Sequence, residues 1–358
     1  MNSDGTLVIL MPGFPKDEAD SSCLPFPQLF VKNLAAQNPA LNIIVLAFQY
    51  PQSLHPYHWH NVTVYPFNGR NKGKLNRLLV WNAVWVKLKQ IKREHKLVGI
   101  LSFWLGECAL IGKYASKKFA VKHFTWLQGQ DARQNNRFVQ LIKPEAENII
   151  ALSDSLSDEL YNNYGIRPGI VIPSGIDETM FDALPGTRTI DIMGAGSLIP
   201  LKRYDMFIRI ISKLADRFPG LNCIICGDGP EREHLQRLIN ENGLVNNIRL
   251  TGSLPHRSVL ALMQSSGIFL HTSSYEGFST VCNEALYAGA TVVTFCKPMH
   301  VDFKQQHIAS SEYEMENLLC KLLEEKKEVY ERVLTYSMKN TCKQVLDLYW
   351  TVPVEESR

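Results

Sequence analysis

The sequence predicts an α/β protein with two parallel β-sheets covered by helices. Short apolar runs typical of strands alternate with helical patterns, and this alternation occurs twice. The turn-rich segment YGIRPGIVIPSGIDETMF, residues 164–181, separates the two occurrences. The chain has 358 residues, more than one hydrophobic core usually organises. We therefore expect two Rossmann-like domains with parallel sheets facing each other across a cleft, with ligands at the carboxyl ends of the strands.

The individual elements follow from the apolar patterning. The candidate strands before residue 155 are TLVILM, NIIVLAF, VGILSF, HFTWLQ and NIIALS. The candidate strands after residue 189 are IDIMGAG, LNCIICG, IRLTGS, IFLHTS and TVVTF. Helical periodicity marks YDMFIRIISKLADRF and PEREHLQRLINENG. We expect one domain over residues 1–165, a second over 166–335, and a charged helical tail over 336–358 that packs back on the first domain.

Composition excludes several classes of protein. Hydrophobic residues make up 45% of the chain and charged residues 20%, which is typical of a globular protein. No apolar run reaches the length of a membrane span. The N-terminal stretch TLVILMPGFP predicts a first strand and not a signal peptide. Eight cysteines without framework spacing favour a reduced, cytoplasmic chain. A net charge of +3 is too small for a bulk nucleic-acid binder, so we expect no nucleic-acid partner.

The basic residues are unevenly distributed, because the segment Arg70–Lys96 is rich in Lys and Arg and contains Glu94 as its only acid. Apolar residues fall near helical spacing at Leu78, Trp81, Trp85, Leu88 and Ile91. One interpretation is a core-packing helix with a solvated basic face. The other is a surface that meets anionic lipid headgroups or an anionic acceptor. The second interpretation predicts peripheral contact with the inner face of a membrane, through basic residues at Lys87, Lys89, Lys92 and Arg93.

The stretch SYEGFSTVCNEALYAGATVV, residues 274–293, carries two glutamates eight positions apart. IFLHTS predicts a strand, and STVCNEALYAG predicts the helix after it, with Ser279 at the N-cap and Gly289 at the C-terminal stop. Glu276 then lies in the loop between strand and helix, and Glu284 lies about one turn inside the helix.

A helix start of this kind is an anion site. Backbone N–H groups from about Thr280 and Val281 lack intrahelical partners, and phosphates bind such groups. The two carboxylates can each accept hydrogen bonds from vicinal hydroxyls. A ribose, two phosphates and a hexose have this layout, so the stretch predicts a nucleotide-sugar site.

These residues resemble a known family. EGFSTVCNEALYAG resembles the E-x7-E motif of retaining glycosyltransferases with the GT-B fold, in particular glycosyltransferase family four, also called group 1. Further segments resemble family segments in the family's order: VIPSGIDETMF, GAGSLIPLKRYDMFI, GDGPEREHL and LTGSLPHRSV. The resemblance covers most of the chain. It implies an N-terminal acceptor-side domain and a C-terminal nucleotide-sugar-binding domain.

The resemblance also implies roles for single residues. Glu284 would hold the donor ribose, and Glu276 would face the transferred sugar. Lys202 would stabilise the charge that grows on the diphosphate leaving group. The implied catalytic residues are Glu276 and Lys202, and the implied acceptor-side residues are Gln128 and Asp131. The implied donor-binding set is Gly13, Ser197, Lys202, Arg203, Pro255, Glu276, Gly277, Phe278, Ser279, Thr280, Val281 and Glu284.

The sequence departs from the family pattern at several positions. Ser197 stands where the family usually has an arginine, and Arg203 is the nearest candidate to replace that cation. Gln128 stands where a histidine is common, and it keeps a hydrogen bond but cannot titrate. Ser279 stands where glycine is usual, and the segment after the last strand lacks the family's Gly-rich stretch.

The predicted function is a retaining glycosyltransferase that moves a hexose from a nucleotide-sugar donor, of UDP or GDP type, to a glycan or lipid-linked acceptor. We expect no cofactor and no metal, since there is no Asp-x-Asp motif and Lys202 with helix-start amides would neutralise the diphosphate. One alternative is a catalytically weak or inactive nucleotide-sugar-binding partner of another transferase. Another is a different GT-B enzyme, such as a sugar-nucleotide epimerase.

Three other interpretations are weaker. A dinucleotide fingerprint starting at Gly194 would need glycine where Ile199 stands. The Cys-x-x-Cys at Cys223 and Cys226 falls on a predicted strand, where residues three apart point to opposite faces. The histidines of HPYHWHN are a weak hint of a metal site and favour a polar loop.

Overall fold

The structure of the protein, a computed structural model, describes residues 5–21, 23–325 and 329–350. The chain forms two compact units. The first comprises Met1–Gly175 and Met338–Arg358, and the second comprises Ile176–Ser337.

The first unit is built on one eight-stranded sheet. Its strands are β1 (Gly5–Gly13), β2 (Leu41–Tyr50), β3 (Tyr57–Trp59), β4 (Val62–Pro66), β5 (Leu97–Phe103), β6 (Lys122–Trp126), β7 (Ile149–Ala151) and β8 (Ile170–Val171). The helices up to residue 164 are α1 (Pro25–Gln37), α2 (Lys74–Glu94), α3 (Glu107–Phe119), α4 (Arg137–Ile142) and α5 (Asp154–Tyr164). The strand order is β3-β4-β2-β1-β5-β6-β7-β8, and β3 alone runs antiparallel to its neighbour. The five strands predicted before residue 155 are confirmed, and β3, β4 and β8 are additional.

The core of the first unit explains these elements. The central strand β1 is buried along nearly its whole length, as expected for a parallel strand covered on both faces. On one face, Phe30 of α1 packs edge-to-face on Trp126 of β6, with ring centroids 5.0 Å apart. Phe103 of β5 joins the same aromatic cluster. The sheet and α1 therefore share one continuous apolar layer.

Helix α2 packs on the core through a row of residues that overlaps the one with helical spacing in the sequence. Val80, Val84, Leu88 and Ile91 face the core, whereas Leu78 is 56% exposed. Trp81 and Trp85 pack against this core, but Leu78 lies outside it, because a helix that buries the row from Val80 turns Leu78 about 120° away. No helix within the described ranges has both the length and the apolar character needed to cross a bilayer.

The second unit is built on a six-stranded, wholly parallel sheet. Its strands are β9 (Ile190–Ala195), β10 (Cys223–Cys226), β11 (Ile248–Leu250), β12 (Ser266–His271), β13 (Thr291–Thr294) and β14 (Gln306–Ile308). Its helices are α6 (Tyr204–Arg217), α7 (Arg232–Glu241), α8 (His256–Gln264), α9 (Thr280–Tyr287) and α10 (Glu312–Glu324). The five predicted strands are again confirmed, and β14 is additional. The order β11-β10-β9-β12-β13-β14 is the Rossmann order, and its topological switch point lies between β9 and β12.

The chain then returns to the first unit with α11 (Met338–Trp350). There Tyr349 Oη donates a hydrogen bond to the Ile100 carbonyl at 2.9 Å. The sequence placed the domain boundaries after residues 165 and 335. In the structure residues 166–175 stay with the first unit because β8 pairs with β7, and the second unit runs to Ser337, which bridges to Ile176. Residues 1–4 of the predicted first domain and 351–358 of the predicted tail lie outside the described residues.

Candidate functional site

The switch point of the second sheet brings two loops together. After β9 the chain forms a short 3₁₀ turn, Pro200–Lys202, and after β12 it forms the loop that leads to α9. The Ser274 amide donates to the Leu201 carbonyl at 3.1 Å, and Thr272 Oγ1 donates to the Lys202 carbonyl at 2.8 Å. These bonds fix the second loop against the first, at the edge where α/β sheets of this order bind ligands.

A cluster of three polar side chains lies between these loops. Lys202 Nζ is 2.5 Å from Glu276 Oε1, and His271 Nε2 is 3.1 Å from the same oxygen. The other ring nitrogen of His271 lies 3.0 Å from Thr294 Oγ1 on β13. The side chain of Glu276 is 16% exposed and that of His271 4%. The sequence analysis assigned Lys202 and Glu276 separate roles at a donor site. The structure brings the two side chains into contact and adds His271 as a buried partner of Glu276.

The surroundings of Glu276 set its charge state. Burial alone would raise the pKa of this carboxyl, but the hydrogen bond from His271 and the charge of Lys202 outweigh burial and lower the pKa to about 2. Glu276 is therefore an ionised hydrogen-bond acceptor at neutral pH. It has no proton to give to a leaving group.

Glu284 has a separate partner. His256 is the first residue of α8, directly after Pro255, and its Nε2 lies 2.8 Å from Glu284 Oε1 on α9. Both side chains are largely buried, at 15% and 13% exposure. Burial would lower the pKa of His256, but the bond to Glu284 raises it, and the net direction is upward. The two glutamates of the E-x7-E pattern thus belong to two distinct polar pairs.

The start of α9 contains an unsatisfied buried hydroxyl. Ser279 occupies the N-cap position, as predicted, but its side chain makes no capping hydrogen bond. Its Oγ is buried without an oxygen or nitrogen partner among the described residues, and the polar neighbour beside it is the Cys282 thiol, a weak hydrogen-bonding group. Ser273 Oγ, six residues earlier, is also buried without a partner. Buried polar atoms are rarely left unpaired, so the Ser279 hydroxyl at the helix start is the type of group that a phosphate oxygen satisfies.

The loop after β9 is shaped by glycine. Leu198 N donates to the Asp228 carbonyl at 2.9 Å, which fixes this loop on the Gly-Asp-Gly segment after β10. A Cβ on Gly227, whose φ is +148°, would lie 1.8 Å from the Gly196 carbonyl oxygen. Glycine is therefore required at 227. Ser197 is exposed on this loop, where a longer side chain would meet solvent.

The remaining predicted donor residues of this unit lie on the same loops. Arg203 has a left-handed backbone, with φ 51°, at the junction to α6. The pKa of Glu312 on α10 is lowered first by the hydrogen bond from Arg209 and, more weakly, by the charge of Arg203. Phe278 is buried, with its ring centroid 6.1 Å from that of Tyr336, and Gly277 beside it is buried as well. Thr280 and Val281 form the first turn of α9 and are partly exposed.

The first unit holds the other three predicted residues. Gly13 is the last residue of β1, and Gln128 and Asp131 follow β6. Asp131 Oδ2 accepts hydrogen bonds from the amides of Leu105 at 2.9 Å and Gln128 at 2.8 Å. Burial raises the pKa of Asp131 to about 7 despite these two bonds. Gln128 is 7% exposed, and its Nε2 is buried without a partner among the described residues.

The weaker interpretations of the sequence find no support. Cys223 and Cys226 are buried free thiols on β10. His58 lies on strand β3, so HPYHWHN is not the polar loop that the sequence favoured. Among the described residues, no three His, Cys, Asp or Glu side chains come together as a metal site. The residue that sequence reasoning missed is His271, and its signal was a histidine ending an otherwise apolar buried strand, IFLHTS.

Comparison with known proteins assigns this site to a family. The model of "Glycosyl transferases group 1" matches residues 176–307, which contain β9 to β13 and every site residue of the second unit. Residues 176–307 of the second unit therefore match the group 1 glycosyltransferase family. The predicted resemblance of the chain to group 1 glycosyltransferases is thereby confirmed.

Relatives and solved structures extend this comparison. One component of human phosphatidylinositol N-acetylglucosaminyltransferase is 31% identical over 163 residues, covering 44% of this chain and 34% of that protein. Glycogen synthase of Mycobacterium tuberculosis is 28% identical over 182 residues, covering 49% and 44%. The chain thus matches less than half the length of each relative. The crystal structure of Anabaena HepE in complex with UDP and glucose superposes with a TM-score of 0.71 at 15% identity, covering 96% of this chain and 99% of HepE. This likeness shows that the group 1 domain is part of a GT-B fold.

Proposed function

We propose that the protein is a retaining glycosyltransferase that moves a hexose from a UDP- or GDP-type nucleotide sugar to a glycan or lipid-linked acceptor. The observation that carries the proposal is the cluster of Lys202, Glu276 and His271 beside the unsatisfied Ser279 hydroxyl. The cation of Lys202, the ionised carboxylate of Glu276 and the N-terminus of α9 all lie at the switch point of the second sheet. The matched relatives named as N-acetylglucosaminyltransferases, and the UDP and glucose in the HepE structure, support a UDP-sugar as the first donor to test.

The diphosphate would bind at the start of α9. Its oxygens would accept from the Val281 amide and the Ser279 hydroxyl, and the Thr280 amide would exchange its 2.8 Å bond to the Phe278 carbonyl for the diphosphate. Lys202 would exchange part of its contact with Glu276 for the diphosphate, and this releases Glu276 to accept hydrogen bonds from sugar hydroxyls. The hydrogen bond from His271, which also lowers the pKa of Glu276, stays in place during this exchange.

The ribose would bind Glu284. The His256 bond occupies Oε1 of Glu284 and orients the carboxylate, which retains lone pairs for two vicinal hydroxyls. A hydrogen bond to an ionised group contributes roughly 1.5–3 kcal/mol. Pro255, just before His256, would flank the nucleobase.

The chemical step needs no protein nucleophile in this proposal. The acceptor hydroxyl attacks C1 of the sugar on the face that the diphosphate leaves, and its proton passes to a departing phosphate oxygen. The bond from C1 to phosphate breaks with its electron pair going to the diphosphate. Lys202 and the helix-start amides stabilise that growing negative charge in place of a divalent cation. Gln128 and Asp131 of the first unit would serve the acceptor and the sugar.

Two measurements test the proposal. A thermal-shift screen against UDP, GDP, ADP and CMP identifies the base, since a ligand at a hundred times its Kd adds roughly 2.7 kcal/mol to stability. The identified donor is then incubated with and without EDTA, and the anomer released or transferred is followed by NMR. The proposal expects EDTA-resistant turnover with retained configuration. Absence of binding to all four nucleotides refutes it, and binding without turnover points to the non-catalytic partner instead.

A further inference from the structure

Helix α2 exposes a row of large apolar side chains to solvent. Leu75 is 81% exposed, Leu79 69% and Val86 50%, and all three lie on the side of the helix opposite the buried Val80 row. Leu78, 56% exposed, borders them. Single exposed leucines are ordinary, but a row of them on one helix marks an interaction surface.

Basic residues continue the same face. Lys89 and Arg93, one and two turns beyond Val86, are exposed on this outer side. Arg70 and Lys72, just before the helix, are exposed as well. Lys87 and Lys92, which the sequence included in the basic face, are partly buried, and Lys87 Nζ lies 4.3 Å from the centroid of the Tyr65 ring. We call the row Leu75, Leu78, Leu79, Val86, Lys89 and Arg93 the outer face of α2.

We propose that the outer face of α2 docks on an anionic lipid bilayer. A helix lying in the interface plane buries apolar side chains between the headgroups while its Lys and Arg side chains contact anionic lipid phosphates. The outer face supplies both, and Glu94 is the only acid between residues 70 and 96.

The charge and the apolar row together favour an anionic bilayer over two other occupants, a second copy of the chain and a nucleic acid. A two-fold contact between copies of the chain would bring the same surface against itself, with basic residues facing basic residues. A nucleic acid would neutralise Lys89 and Arg93 but would leave the exposed leucines without an apolar partner. An anionic bilayer matches both the charge and the apolar row.

The test uses the full-length protein and sedimentation with vesicles, so it is independent of the proposed catalytic activity. Vesicles of phosphatidylcholine alone are compared with vesicles containing roughly 30% phosphatidylserine, at low and high salt. On an anionic surface each basic residue contributes about a fivefold gain in the partition coefficient. We expect binding to the anionic vesicles at low salt, at least about tenfold weaker binding at high salt, and little binding to neutral vesicles.

Two double variants separate the components of the surface. Leu75→Ser with Leu79→Ser should reduce the partition coefficient at least about tenfold, and Lys89→Glu with Arg93→Glu should remove its salt dependence. The matched controls are Leu141→Ser with Val245→Ser, two exposed apolar residues elsewhere, and Lys117→Glu with Lys118→Glu on α3. Circular dichroism and thermal midpoints establish that each variant folds.

Three results would overturn the proposal. The first is absence of binding, or equal binding to neutral and anionic vesicles. The second is a leucine variant that folds and binds as the wild type does. The third is a wild-type dimer, seen by light scattering, that the leucine variant dissociates, because the outer face would then be an interface between copies.

Discussion

Both units place polar side chains just beyond the central strands of their parallel sheets, but with different partners. In the second unit Lys202 and His271 both contact Glu276, whose pKa falls to about 2. In the first unit the Asp131 carboxyl accepts hydrogen bonds from two backbone amides, and burial raises its pKa to about 7. The second unit presents to an anionic ligand a lysine whose charge is balanced by Glu276. The first unit instead holds a carboxyl, Asp131, whose pKa is close to neutral pH. Two α/β units with largely parallel sheets therefore support opposite shifts of a carboxyl pKa, and the chemistry of each unit depends on its own loops.

Removal of the cation should have the largest effect. We expect Lys202→Ala to lower kcat about 10²–10³-fold while the Kd for the nucleotide diphosphate changes less, because the leaving-group charge is larger in the transition state. Steady-state kinetics and calorimetric titration provide the two numbers. Lys213→Ala, which removes an exposed ion-paired lysine on α6, is the control. An unchanged kcat would exclude Lys202 from the chemical step.

The second prediction concerns Asp131 and pH. The pKa of about 7 in the folded state lies above its ordinary 3.8, so the folded protein binds the proton more tightly and loses stability as pH rises. Between pH 5 and pH 8 this loss amounts to roughly 2–3 kcal/mol. Asp131→Asn keeps an acceptor oxygen for both amides and should flatten the dependence of the thermal midpoint on pH.

Asp158→Asn, at a partly exposed carboxyl, is the control for this measurement and should leave the pH dependence unchanged. If Asp131→Asn and wild type show parallel pH profiles, Asp131 is ionised in the folded protein across this range and the contrast between the two units disappears.

The third prediction separates the two glutamates. Glu284→Gln should weaken the nucleotide diphosphate and the intact donor alike, by about 2 kcal/mol, because both contain the ribose. Glu276→Gln should leave diphosphate binding nearly unchanged and reduce turnover. Calorimetric titration of both variants with UDP, together with one transfer assay, distinguishes them. Equal weakening of UDP by both substitutions would show that the assignment of the carboxylates is wrong.

The smallest expected effect belongs to His271. His271→Leu removes the hydrogen bond that lowers the pKa of Glu276, so that pKa should rise toward its ordinary value of 4.5. We expect about a tenfold loss of kcat and an acidic limb of the pH–rate profile that moves to higher pH. The control is His234→Leu on the exposed side of α7. A profile identical to that of wild type would limit His271 to a packing role.

Much of this site was predictable from the sequence. Strand patterns placed β9 and β12, the E-x7-E stretch placed Glu276 in a loop and Glu284 in α9, and GAGSLIPLKRYDMFI identified Lys202. These features are local, because hydrophobic periodicity and helix signals act over a few neighbouring residues. The order of the segments then carried the resemblance to the family.

The tertiary structure alone decided which side chains meet. Lys202 and Glu276 are 74 residues apart in sequence, and they touch because β9 pairs with β12. The role of His271 depends on the same strand pairing, with β13 beside it. The pKa of Asp131 depends on a burial that outweighs the hydrogen bonds from the Leu105 and Gln128 amides. On α2 the sequence showed the basic charge, but the packing of Val80 and Val84 against the sheet turned Leu75 and Leu79 to solvent. A local pattern specifies an element, whereas its orientation is chosen by the long-range contacts that bury most apolar surface.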